Sequence, residues 1–68
     1  MSAVTHYIVQ CTDRSGLQSS STFDVPEDAK NSVLRYGLRE AVRLCGHFNA
    51  IASAFISTID GHIVGTLR

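Results

Sequence analysis

"VLRYGLREAVRL", residues 33–44, is the stretch whose reading decides the fold. On a wheel of about 100° per residue, Val33, Leu34, Leu38, Ala41, Val42 and Leu44 fall within one broad arc, which Cys45 and Phe48 extend. Asp28, Ser32, Arg35, Tyr36, Arg39, Glu40, Arg43 and His47 occupy the opposite arc. The division predicts a one-sided amphipathic helix with its arginines in solvent. Gly37 lies inside the apolar arc, where glycine costs roughly 0.5–1 kcal/mol relative to alanine. Close approach of the helix to a strand is the expected compensation. Upstream, Pro26 suits the first helical position, and Glu27 and Asp28 complement the helix dipole. Downstream, Gly46 suits the stop.

Strand patterns flank the helix on both sides. Ala3 to Thr12 is rich in β-branched and aromatic residues, with Tyr7, Val9 and Cys11 on one face and Val4, His6, Ile8 and Gln10 on the other. "DRSG" at 13–16 supplies turn chemistry for a hairpin. Leu17 to Val25 alternates: Leu17, Ser19, Ser21, Phe23 and Val25 share one face, which predicts a weakly apolar edge strand. Val25-Pro26 ends it, because a residue before proline is held extended.

After the helix, Asp60-Gly61 between alternating apolar runs is the strongest short hairpin signal in the chain. A two-residue loop pairs Ile59 with His62, Thr58 with Ile63, Ile56 with Gly65 and Ala54 with Leu67. That register puts Ala52, Ala54, Ile56, Ile63 and Leu67 on one face, and Ile51, Phe55, Ile59, His62 and Val64 on the other. The prediction is α+β: β-β-α-β-β, a four-stranded, mainly antiparallel sheet with one amphipathic helix packed on one face. Residues 1–68 are expected to form a single compact domain.

The totals bound the function. A chain of 68 residues with net charge zero is neither a basic nucleic-acid coat nor an acidic decoy of DNA. So short a chain buries its own apolar surface poorly, so a partner or a second copy is expected to help. The apolar residues assigned to the uncovered sheet face, Ile51, Phe55, Ile59 and Val64 with Val4 and Ile8, predict self-association as a homodimer.

Arg35, Arg39 and Arg43 stand four residues apart, half of the six basic side chains. Successive like charges at that spacing repel by roughly 0.2–0.5 kcal/mol per pair, so the stripe gives the fold nothing. With Tyr36 it forms the candidate partner-binding surface, arginine being suited to carboxylates and phosphates. The alternative is a nucleic-acid-binding accessory or regulatory domain that sets the same arginines on phosphates. Three phosphate contacts imply a salt slope of roughly −2.7.

No catalytic constellation is legible: there is no G-x-S-x-G element, and His6, His47 and His62 find no third partner for a metal. The expectation is a non-enzymatic protein without cofactor or metal. Cys11 and Cys45 match no metal spacing and are expected as free, reduced thiols. "MSAVTHYIVQ" lacks a basic start followed by a long apolar run, and no stretch is long enough to span a bilayer. A cytoplasmic protein with no membrane partner follows.

The order of elements, the small size and the lack of catalytic groups resemble some phage-encoded anti-CRISPR proteins, several of which are compact β-β-α-β-β domains. The resemblance covers the whole chain as architecture, and no motif carries a site residue across. It implies an inhibitor of phage or mobile-element origin that works in the host cytoplasm. Its partner would be a protein, a nuclease or CRISPR effector complex, blocked by direct contact. Many such proteins are acidic; the neutral charge here points to capping of a surface rather than to DNA mimicry.

Overall fold

The structure, a computed structural model, describes residues 3–67. The chain runs through β1 (Val4–Asp13), β2 (Gln18–Pro26), a 3-10 segment (Glu27–Ser32), α1 (Val33–Cys45), a 3-10 turn (Phe48–Ala50), β3 (Ile51–Thr58) and β4 (Ile63–Leu67). The sheet order is β2-β1-β3-β4, every neighbouring pair is antiparallel, and α1 packs on one face. The β-β-α-β-β, α+β architecture expected from the pattern is the one observed.

The core lies between α1 and the inner sheet face. Tyr7, Val9 and Cys11 of β1, Phe23 and Val25 of β2, Ala41 of α1, and Ile51, Ala54 and Ile56 of β3 are all buried. The Tyr7 and Phe23 rings stack, with centroids 5.8 Å apart. Gly37 faces this layer: a Cβ there would overlap Ile56 Cδ1, stand 2.7 Å from Ile56 Cγ1 and meet Phe23 Cζ at 3.3 Å. Helix and strand touch at this point only because position 37 has no side chain, which is the compensation its helix penalty calls for.

The helix starts later than the pattern suggests. Pro26 is extended (φ −58°, ψ 145°) and closes β2. Glu27–Ser32 forms a 3-10 segment with a break at Ala29 (φ −119°), and α1 begins at Val33. Gly46 ends it in the left-handed region, so Phe48 belongs to the following turn and not to the helical stripe.

Both hairpins use the same three-residue loop. At the first, Asp13 N–H donates to Leu17 O and Gly16 N–H to Asp13 O. At the second, Thr58 N–H donates to His62 O and Gly61 N–H to Thr58 O. The loops are Arg14-Ser15-Gly16 and Ile59-Asp60-Gly61, and each ends on a glycine of positive φ (92° and 98°). This is a type I turn followed by a left-handed residue. The residue before each loop holds it: Asp13 Oδ1 accepts from Leu17 N–H and Ser15 N–H, and Thr58 Oγ1 accepts from His62 N–H. Leu17 thus closes the loop ahead of β2 and is exposed rather than part of the core.

The three-residue loop overturns part of the expected second hairpin. Thr58 is bonded to His62 and Ser57 pairs with Ile63, in place of Ile59 with His62 and Thr58 with Ile63. Val64 is then an extra residue, and from Ile56–Gly65 to Ala54–Leu67 the register is the expected one. A bulge of this kind changes which face a side chain takes. Ile63 therefore stands with Ser57 on the open face. Val64 lines a cleft on the helix side with Tyr7, Val33 and Leu34.

A second bulge lies at the start of β3, where Asp13 pairs with Ile51 and Thr12 with Ser53. Ala52 is the residue left over, and it is exposed. Ile51 swings to the inner side, wholly buried, and cannot belong to the open face.

Candidate functional site

Arg35 and Arg39 project from successive turns of α1 and are both exposed. Tyr36 lies between them, half-buried against the edge of the core and not fully in solvent as the wheel suggests. With Ala29 and Ser32 these three side chains line a groove of about 190 Å³. Ala29, the residue at the break, comes to the groove from the 3-10 segment that precedes α1. Nothing in "PEDAKNS" distinguishes 3-10 from α geometry.

Arg43 is placed differently. Its guanidinium pairs with Glu40 at 2.8 Å, and Glu40 also accepts from Ser21 Oγ of β2 at 3.3 Å. Arg43 reaches Ser21 Oγ itself at 3.4 Å. Ser21 faces inward because it shares a face with Phe23, and this polar position of β2 is the anchor for Glu40. Hydrogen bonding and attraction from Arg43, with help from Ser21 and Arg39, hold the Glu40 carboxyl below its ordinary range. Arg43 thus belongs to a clasp between helix and sheet.

The remaining cations sort the same way. Arg14 Nε donates to the Asn49 carbonyl at 2.6 Å, and Lys30 pairs with Glu27 at 3.3 Å. Among the described residues, Arg35 and Arg39 are the basic side chains with neither an ion pair nor a hydrogen-bond partner. The nearby carboxylates Glu27 and Glu40 are already engaged. The groove is therefore lined by two guanidinium groups in no direct ion pair or hydrogen bond, beside an aromatic ring.

The open sheet face is more polar than the expected register made it. Across the strands it carries His6 and Asp24; then Thr22, Ile8, Ser57 and Ile63; then Ser20, Gln10, Phe55 and Thr66. Phe55 is where the sequence placed it, with Ile8 and Val4. Ile59 sits in the β3–β4 loop, 59% exposed, while Ile51 and Val64 have left the face. Ile63 replaces them at 63% exposure. The His6 imidazole donates to Asp24 at 2.5 Å, and His62 lies 4.0 Å from Asp60 in the second loop. Among the described residues no cluster of His, Cys, Asp or Glu is arranged to hold a metal ion, and no helix is long and apolar enough to cross a membrane.

Comparison with protein-family models, with curated proteins and with solved structures returns no match, so the functional reading rests on geometry and charge.

Proposed function

We propose that this chain is a small non-enzymatic protein-binding module that docks an acidic surface of its partner on the outer face of α1. The observation that supports it is the Arg35–Tyr36–Arg39 groove, whose two guanidinium groups are in no direct ion pair or hydrogen bond with a described residue. A planar guanidinium fork suits carboxylates, and a tyrosine adds rigid contact area with a polar tip. Arg43 contributes at the rim, its charge offset by Glu40. The anti-CRISPR resemblance makes a nuclease or CRISPR effector complex the first partner to try, with inhibition by occupation of a surface in the host cytoplasm.

Self-association belongs to the same proposal but to the other side of the molecule. The apolar residues of the open face are Ile8, Phe55 and Ile63, with Ile59 beside them in the loop. Two copies packed sheet to sheet would cover them. Sedimentation at micromolar concentration is expected to give a dimer that Ile63→Lys converts to monomer. A wild-type chain that stays monomeric sinks this half of the proposal without touching the first.

The arginine groove is tested by capture of partners from the native host, with Arg35→Glu/Arg39→Glu as control. Nucleic acid is the competing occupant. With Arg43 held by Glu40, two phosphate contacts remain, for a salt slope of roughly −1.8 and a loss of about 12-fold between 50 and 200 mM salt. Binding to labelled duplex or single strand with that slope, abolished by the double variant, would replace the protein partner by nucleic acid.

A further inference from the structure

Cys11 and Cys45 were expected as two free thiols, and they are free. They are also in contact: Sγ to Sγ is 3.5 Å, although the residues stand 34 positions apart in sequence. Cys11 sits on the inner face of the central strand β1, and Cys45 is the last residue of α1. A disulfide needs its sulfurs at about 2.05 Å. The remaining closure falls on the most yielding part of the helix, its final turn before Gly46.

We propose that Cys11 and Cys45 form a dithiol redox site, closed to an intramolecular disulfide by a small-molecule disulfide such as oxidised glutathione. The two thiols differ in access. Cys11 is buried, 3% exposed, while Cys45 is half-buried at the helix end. Burial pushes the Cys11 thiol up to about 11, with further contributions from contact with Cys45 and from the charge of Asp13. A thiol of that kind is a poor first nucleophile.

Cys45 therefore attacks first. Its thiolate displaces one glutathione thiolate and forms a mixed disulfide. Cys11 then gives up its proton and attacks the Cys45 sulfur, releasing the second glutathione. The protein loses two protons and two electrons, which the oxidant takes up to leave as two thiols. The second step is intramolecular between groups already in contact, so it outruns capture of another molecule. The product staples the central strand to the end of α1 that carries the Glu40–Arg43 clasp. This site is independent of the arginine groove and of any partner.

The test is reduced, full-length protein incubated natively with oxidised glutathione, then alkylated and weighed intact. The expected product has lost two hydrogens, takes up no alkyl group and yields a cross-linked Cys11–Cys45 peptide, at an extent that does not vary with protein concentration. Its Tm is expected to exceed that of the reduced chain by on the order of 10 °C. Cys11→Ala is expected to stop at the glutathione adduct of Cys45. A wild type that accumulates that adduct, forms covalent dimers, or emerges alkylated at both cysteines overturns the proposal, whether or not the variant folds.

Discussion

The two sides of α1 are built to different tolerances. On the inner side Gly37 lies against Ile56 and Phe23 with no room for a methyl group, and Ala41 is wholly buried. On the outer side, Arg35 and Arg39 extend into solvent, and neither makes a direct ion pair or hydrogen bond among the described residues. The fold dictates the inner residues one by one and leaves the outer ones free. A surface the fold does not use is available for another task, and the contrast predicts what each substitution does.

The largest effect belongs to the inner side. Ile56 has no exposed surface, and Ile56→Ala is expected to cost about 3–4 kcal/mol, read as a lower urea midpoint at unchanged m-value. Next comes Gly37→Ala. It gains helix propensity but forces a methyl into Ile56, for a net loss of about 1–2 kcal/mol. Shortening the neighbour tests the cause: Ile56→Val removes the Cδ1 that the new methyl meets. The double variant should be more stable than the sum of the two changes by about 1 kcal/mol. Strict additivity would mean that the close approach at Gly37 is not what sets its cost.

Acid provides a smaller test of the clasp and the loops. Asp13 is held below its ordinary range chiefly by the Ser15 hydroxyl, Glu40 by Arg43, and Asp60 by the Thr58 hydroxyl. Carboxyls depressed in the folded chain bind fewer protons than in the unfolded one, so their contribution is complete above the unfolded pKa values, about 4. It is lost as pH falls through that value toward the folded ones. Urea midpoints should be flat near neutrality and fall below about pH 4, with a shallower fall in Glu40→Gln. An equal slope in that variant would remove Glu40 from the account.

Legibility followed the same line between constrained and unconstrained parts. Period-two alternation placed Tyr7, Val9 and Cys11 inward, and the helical arc placed Gly37 and Ala41 against the sheet, because burial imposes both patterns. The phase of the second hairpin differs from the one its pattern suggests. Asp60-Gly61 suggests a two-residue loop, but Gly61 stands third in the loop, as Gly16 does in "RSG". The side chain that fixes each loop, Asp13 or Thr58, stands immediately before it and is the signal that marks the phase. One extra residue at Val64 and another at Ala52 then exchanged Ile63 and Ile51 between faces. Bulges leave no mark in an alternation pattern until pairing partners are known. At the candidate site, spacing sets three arginines on one stripe, with Glu40 three residues before Arg43. The pair with Glu40 separates Arg43 from Arg35 and Arg39, and the inward turn of Ser21, a property of β2 packing that spacing does not show, ties that pair to the sheet.

The smallest expected effect on stability is at Arg35 and Arg39, and the central claim depends on it. Arg35→Glu/Arg39→Glu should keep the wild-type circular dichroism spectrum and a Tm within about 2 °C, as exposed substitutions do. The same protein, immobilised beside wild type in an extract of the native host, should lose an acidic protein partner that the wild type retains. Capture of the same partner in the same amount by both proteins would contradict the account and return the outer face of α1 to an ordinary solvated surface.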